Sequence, residues 1–547
     1  MGLLMSRLER ATEFVSKPRI RNLWTCVVII FFLGFVIVPT LYVLTYAFTN
    51  WDLIQAEVLQ DPEVMSQIWT AIANSFEIAA IVTVVDILVG LPMAWILVRK
   101  KFRGKQLLDT LIDMPLAVPT AALGFSAAIF WGLTPEDLTN PLGLKIVSSP
   151  FILIILLHIV FSYPYMVRSL AAILEQIDQT FETAGQTLGA SKLTAVRTIT
   201  LPLFRAGLVT GIILCFARSL SETGGTVAAL ATIGNTTFNT APTLIDSLKS
   251  TPALAFTSIV LIILALVLLV IVAIVVKKVH IPFRKVWPRP EKILSRGFAP
   301  RFKDATSILF LVFIVLIPSF FVFTFVFTSE PTSSTNWAEF GEALFNSFLI
   351  AGVVTIIDLA FGIPLALYIA KNRSKWLPET LDILVNIPLI VPTVALGFSL
   401  KLFWTGGTPV TGPFAIFLVM MAHIAFTYPL MVRNVAGAVE EIDPTYEETA
   451  RTLGAKPVQG FKRVLFPMIK ASILAGAIMA FTRSLGETGA TRAVSTTVLT
   501  APNYIVNLIK LDNDYYTAAL ACIILIIISY GLMLALRYLT RRRKGVT

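Results

Sequence analysis

Two nine-residue stretches set Arg, Glu, Ser and Thr inside long apolar runs: Arg218-Ser219-Leu220-Ser221-Glu222-Thr223-Gly224-Gly225-Thr226 and Arg483-Ser484-Leu485-Gly486-Glu487-Thr488-Gly489-Ala490-Thr491. Arg218 falls about 12 residues past the predicted helix start, roughly 18 Å along a helix rising 1.5 Å per residue. Charges at such depth are costly and face a bundle interior or a wet cavity. The four-residue spacing predicts Arg and Glu on one helix face. The chemistry available is recognition, not bond-making: an ion pair that pins helices, a polar lining for a solute path, or both. Arg218, Ser219, Glu222, Thr223 and Thr226, with Arg483, Ser484, Glu487, Thr488 and Thr491, are the candidate path or gate residues. His158 and His423, each ahead of a Tyr-Pro pair, read as packing side chains with satisfied polar atoms, and His280 sits in a basic linker. Cys26, Cys215 and Cys522 lie in apolar runs with no metal-ligand or disulfide spacing. No Ser/His/Asp set, metal cluster or Gly-rich phosphate site stands out, so no catalytic residue, metal or cofactor is expected.

A polar loop ahead of each stretch is duplicated. His158 to Ala228 matches His423 to Ala493 without a gap, every pair 265 residues apart, including Arg168 with Arg433 and Pro202 with Pro467. A match of this length at one period means duplicated structure. Each loop reads as two short helices broken at Leu188-Gly189-Ala190 or Leu453-Gly454-Ala455, a turn that a side chain would crowd. Acidic residues precede the break (Glu175, Asp178, Glu182; Glu440, Glu441, Asp443, Glu447, Glu448). Basic residues follow it (Lys192, Arg197, Arg205; Lys456, Lys462, Arg463, Lys470). That order complements the helix dipole. One such loop reads as a solvated connector, whereas two on one face are expected to be a pair of docking knobs. The match continues upstream: Asp86, Gly90 and Pro92 align with Asp358, Gly362 and Pro364, and MPLAVPTAALGFSAAIFW (114–131) with IPLIVPTVALGFSLKLFW (387–404). Pro115, Pro119, Pro388 and Pro392 are expected to bend helix three, predicted near 108–132 and 381–404, which only a protein-buried or water-lined position tolerates. Pro164 and Pro429 are expected to kink helix four, predicted near 150–170 and 413–433.

The loop resembles the EAA loop of ABC importer permeases: an EAA-like triplet, three residues, Gly, nine residues, Ile, one residue, then Leu-Pro. The second copy has Glu448-Thr449-Ala450, Gly454, Val464 and Phe466-Pro467. The first has Thr183-Ala184-Gly185, Gly189, Ile199 and Leu201-Pro202. Thr183 stands where the family has Glu, with Glu182 one place earlier, and Phe466 replaces Leu. By this resemblance the chain is identified as a member of the type I family in a fused two-half form. The resemblance implies a short coupling helix seated in a cleft of a cytoplasmic ATPase. Its candidate coupling residues are Glu182, Thr183, Ala184, Gly185, Leu188, Gly189 and Ala190, then Glu447, Glu448, Thr449, Ala450, Leu453, Gly454 and Ala455. The chain has no G-x-x-x-x-G-K-[ST] loop. The ATPase is therefore expected as a separate polypeptide in two copies, and the family implies an extracytoplasmic solute-binding protein as well. The Arg-to-Thr stretches are similar to a signature of molybdate, tungstate and sulfate permeases, with Thr223 and Thr488 replacing an aromatic. The resemblance implies the permease subunit of an ATP-driven oxyanion importer, the alternative being a phosphate, ferric iron or thiamine permease of the same type. A secondary transporter with parallel repeats is the competing class. It needs a coupling-ion site, and no isolated unpaired carboxylate dominates the membrane interior.

The surrounding elements follow from composition. The 547 residues are 56% hydrophobic and 14% charged, with mean hydropathy +0.80, whereas soluble domains carry about 25% charged residues. The predicted class is all-α: a polytopic membrane protein with 12 transmembrane helices as two parallel six-helix repeats. The net charge of +11 is explained by Lys and Arg in short inside loops, not by nucleic-acid binding. The predicted divisions are a cytoplasmic segment 1–22, a first permease domain 23–276, a basic linker 277–305, a second permease domain 306–537 and a basic tail 538–547. Helix two is predicted near 70–98 and helix five as one span near 205–233. Both termini are expected on the cytoplasmic side of the cell membrane.

Overall fold

The computed structural model describes residues 17–134, 143–235, 237–278, 288–295, 297–330 and 336–541. Residues 1–16 of the basic N-terminal segment, His280 with the centre of the linker, and 542–547 of the tail lie outside the described residues. Among those described, the regular elements are helices, with one isolated bridge between Gly132 and Val147. Nine of the described helices are long and apolar enough to cross a membrane, or up to 12 spans if each of three sharply bent pairs counts as one. Helices suit such sequences because they satisfy every backbone polar group internally. Pro62–Arg99 begins ahead of the predicted residue 70. Asp61 caps it, its Oδ1 accepting from Glu63 N at 2.9 Å and Val64 N at 3.2 Å.

The helices gather into two compact units. One comprises Met1–Trp51, Trp337–Ala501 and Gly531–Thr547, and the other Asp52–Asn336 and Pro502–Tyr530. Each unit takes its opening helix from the opposite half of the repeat, and each secures it with one serine. In the helix Pro18–Leu41, Pro39 lacks an N–H and disturbs the ladder, and a π-helical stretch Phe32–Ile37 precedes it. Ser399 Oγ donates to Pro39 O at 2.7 Å and accepts from Val43 N at 2.8 Å. It stands in the place of the missing i to i+4 bond. The other unit repeats this around Pro318 in Phe298–Thr328: Ser126 Oγ donates to Pro318 O at 2.7 Å and accepts from Val322 N at 2.9 Å. Both serines belong to the two -ALGFS- strings.

The third helix of each repeat is broken by about a right angle. Lys105–Leu116 and Thr120–Trp131 meet at 101°, and Trp376–Ile390 and Thr393–Thr405 at 108°. Val118 and Val391 are extended, as residues before proline tend to be, and Pro119 and Pro392 open the second pieces. Pro115 and Pro388 lie in the last turns of the first pieces. Pro164 and Pro429 sit inside continuous helices, Pro150–Gln176 and Gly412–Glu440.

Helix five is not the single span predicted near 205–233. Arg205–Leu220 stops and Gly224–Thr232 restarts; in the second copy Phe466–Leu485 stops and Gly489–Val494 restarts. The break falls inside the Arg-to-Thr stretch.

Candidate translocation and coupling site

In each unit the two broken helices cross at glycine. A Cβ on Gly124 would overlap Gly225 O, and one on Gly397 would come within 2.6 Å of Ala490 O. Small residues permit this close backbone approach. The -ALGF- and -ETG- motifs, far apart in sequence, thus form one place.

The charged residues there neutralise one another. Arg218 Nη1 lies 2.5 Å from Glu222 Oε2, and Arg483 pairs with Glu487 in the same way. The pairs do not lie along one helix face, because Leu220 and Leu485 end the helices between them. Each glutamate also accepts a backbone N–H: Oε1 of Glu222 accepts from Gly225 N at 2.9 Å, and Oε1 of Glu487 from Ala490 N at 3.1 Å. The carboxylate thereby caps the restarting helix, where negative charge is favoured. The guanidinium groups lie over Phe161 and Phe426, 5.4 and 4.9 Å from the ring centres.

His158 spans the break. Its Nδ1 lies 2.8 Å from Ser219 Oγ, before the break, and its Nε2 lies 2.9 Å from Thr226 Oγ1, after it. His423 repeats this with Ser484 at 2.7 Å and Thr491 at 2.8 Å. A neutral imidazole has one donor and one acceptor nitrogen, and hydroxyls serve either. The histidines are the satisfied packing residues the sequence suggests, but their partners are the candidate path residues, a link that spacing alone does not reveal. The hydroxyls of Thr223 and Thr488 are buried in the break with no hydrogen-bond partner among the described residues. One expectation is corrected here. Asp86 and Asp358 are buried carboxylates in membrane-span helices, and no Lys, Arg or His forms an ion pair with either among the described residues. Embedded in apolar runs, they give no sequence cue to the absence of a partner.

The duplicated loop folds as the helices Gln179–Thr187 and Thr445–Thr452. Asp178 and Asp443 start them, each Oδ1 accepting from the N–H two residues on, Thr180 or Thr445, at 2.9 Å. These hydrogen bonds hold both carboxyls below their ordinary range: the backbone N–H of Thr180 leads for Asp178, and the Thr445 hydroxyl followed by its N–H for Asp443. Gly189 and Gly454 end them at φ +92° and +85°. Ala190 N donates to Gly185 O and Gly189 N to Gln186 O, at 3.1 and 3.0 Å, and the second copy repeats the pattern. Leu188 and Leu453 at the turn are 89% and 83% exposed. Thr183, Ala184, Glu448 and Thr449 are also exposed, as are Phe181 and Tyr446. Asp443, Thr445, Tyr446, Thr449, Ala450, Leu453 and Val464 line an open notch in the second copy. Glu182 and Glu447 point the other way. Glu182 pairs with Arg99 at 3.1 Å and accepts from Thr200 at 3.0 Å, and Glu447 pairs with Lys371 at 2.6 Å. Arg99 and Lys371 close the second helix of each repeat, so the loop is tied directly to a membrane span.

These bent spans and duplicated polar loops define a polytopic transport protein of the membrane. The family described as binding-protein-dependent transport system inner membrane component matches residues 86–281 and 362–545. The chain belongs to this family and carries its domain twice: it is a multi-pass ABC permease of the inner membrane, a transport subunit. Among similar proteins, the molybdenum transport system permease protein ModB of Escherichia coli is 34% identical over 198 residues, covering 36% of this chain and 83% of the relative. The sulfate transport system permease protein CysT of Salmonella typhimurium is 31% identical over 223 residues, covering 36% and 76%. The probable ABC transporter permease protein y4fN of Sinorhizobium fredii is 23% identical over 358 residues, covering 60% and 62%.

Proposed function

We propose that this chain forms the translocation path of an ATP-driven importer for an oxyanion of the molybdate, tungstate or sulfate kind, with its termini in the cytoplasm. The named relatives in molybdenum and sulfate transport support the solute class. Residues 23–276 and 306–537 would be its two permease domains, joined by the linker 277–305. The observation that carries the mechanism is the pair of solvent-exposed leucines, Leu188 and Leu453, on polar helices tied through Glu182 and Glu447 to Arg99 and Lys371. Large apolar side chains this exposed at matched turns, with Phe181 and Tyr446 also exposed on the same two helices, suit docking on a partner. Two copies of a cytoplasmic ATPase take them up, and ATP-driven movement pulls on the second helix of each repeat. An extracytoplasmic solute-binding protein delivers the anion. The broken helices supply hydroxyls and backbone groups to the path, while each Arg stays neutralised by its own Glu.

The test is reconstitution in vesicles with the cognate ATPase and binding protein. Uptake of labelled molybdate or sulfate that needs ATP and is lost in the double variant Leu188→Asp, Leu453→Asp supports the reading. Uptake of phosphate or iron alone overturns the solute class. Uptake without ATPase overturns the mechanism.

A further inference from the structure

Asp86 and Asp358 hold matched places in the second helix of each repeat, and both are fully buried. Asp86 lies about 20 Å along the helix from Arg99 at 1.5 Å per residue, inside a hydrocarbon layer roughly 30 Å thick. Asp86 Oδ1 has no hydrogen-bond partner among the described residues, and the Thr427 hydroxyl is the polar side-chain group beside Asp358.

The remaining oxygen of Asp86 touches Ser162 Oγ, which also lies 2.7 Å from His158 O, one turn back on its own helix. One hydroxyl carries one proton. If Ser162 donates to that carbonyl, as helical serines commonly do, only a protonated Asp86 can bond to Ser162. If Ser162 turns to the carboxylate instead, an anion would keep one oxygen bare at membrane depth. Thr427 repeats the arrangement, donating to His423 O at 2.7 Å while facing Asp358. Among the described residues, the other titratable neighbours are Tyr163 and Cys215 around Asp86, and Tyr428 around Asp358. None is a cation, and two are already engaged: Cys215 Sγ donates to Ser162 O at 3.3 Å and Tyr428 OH to Phe361 O at 3.0 Å. Burying a bare carboxylate costs far more than burying the acid.

We propose that Asp86 and Asp358 are intramembrane proton-binding sites, each kept as a neutral carboxylic acid that joins helix two to the Ser162 or Thr427 hydroxyl on helix four. The proton is held, not exchanged with the transported solute. Neutral acids leave the interior without a fixed negative charge that would repel an oxyanion. This extends the importer reading without resting on it, because it needs only the burial of the two carboxyls and their hydrogen-bond partners.

The experiment is infrared spectroscopy of the purified full chain in vesicles at neutral pH, comparing wild type with Asp86→Asn, Asp358→Asn and the double variant. The wild type shows the carbonyl stretch of a protonated carboxylic acid, each single variant loses part of it, and the double variant loses all of the difference. Asparagine keeps the shape and donates an N–H, so the double variant retains ATP-dependent uptake. Ser162→Ala and Thr427→Val keep the acids but remove their acceptors. They shift the band toward that of an unbonded acid, and they serve if the asparagine variants fail to insert. Absence of the band in the wild type, or its survival in the double variant, overturns the proposal. A wild type that shows the band but needs no ATPase for uptake refutes the importer reading alone.

Discussion

Glu291 meets Arg197 at 2.7 Å and also accepts the Thr194 hydroxyl at 2.5 Å. Glu291 is buried on the short helix Pro288–Leu294 of the linker, whereas Arg197 and Thr194 belong to the first duplicated loop. The second loop has Lys462 and Gln459 at the matched places. Lys462 is exposed, and Gln459 turns back to accept from Lys456 N at 3.1 Å. Two loops of one duplicated pattern are thus braced unequally. Glu291→Ala should raise amide exchange across residues 191–200 to the level of 456–465, with a local loss of about 1–3 kcal/mol from the orphaned partners. Exchange mass spectrometry of the two peptides measures this directly, and unchanged protection at 191–200 would show that the brace is inert.

Ser126 and Ser399 each replace one broken rung of a proline-bearing helix. Ser126→Ala leaves Val322 N, and Ser399→Ala leaves Val43 N, without a partner at a buried position. Each variant should lose about 1–3 kcal/mol and melt earlier in detergent. A threonine at either site keeps the hydroxyl and should recover part of the loss.

His158→Ala and His423→Ala remove the group joining the two pieces of helix five. The expected outcome is a fall in uptake rate at saturating solute larger than any fall in ATPase association, because the loops are untouched. Equal loss of both would mean that the histidines serve general stability only.

Gly189 and Gly454 have positive φ, with open space where a side chain would stand, so the left-handed backbone and not the crowding expected from the sequence calls for glycine. Valine there is opposed by the backbone alone, at about 1–2 kcal/mol, and should weaken co-purification with the ATPase. Leu188→Asp should weaken it without lowering the melting temperature, since that side chain is 89% exposed.

The Asp178 and Asp443 carboxyls are held below their unfolded value, so their capping contribution is fully present above that value, near pH 3.9. It is lost as pH falls through the lower folded values. The two short loop helices should therefore keep their amide protection from neutral pH down to mildly acidic conditions. Asp178→Asn and Asp443→Asn, which retain an acceptor, should flatten the acid limb.

Much of this was legible in sequence for identifiable reasons. The gapless period announces the duplicated loops, and Val-Pro announces the bend in helix three, because proline constrains the residue before it. The break in helix five is hidden. Its glycines are tolerated in membrane helices, and what ends the helix is a glutamate turning to cap the next piece. The state of Asp86 is hidden too, since it depends on Ser162, 76 residues away, and on packing that brings no cation beside it among the described residues. The exchange of opening helices has no local signal at all: Pro39 suggests a weak rung but not which serine will fill it.

That exchange bears on how the protein is made. Pro18–Leu41 leaves the ribosome early, yet the hydroxyl that completes it, on Ser399, lies 356 residues beyond Val43. During synthesis the first span must wait in lipid, incomplete, while the other unit's chain is still emerging. Premature termination anywhere before Ser399 would strand it, and membrane quality-control proteases would meet an unfinished helix before an unfinished loop.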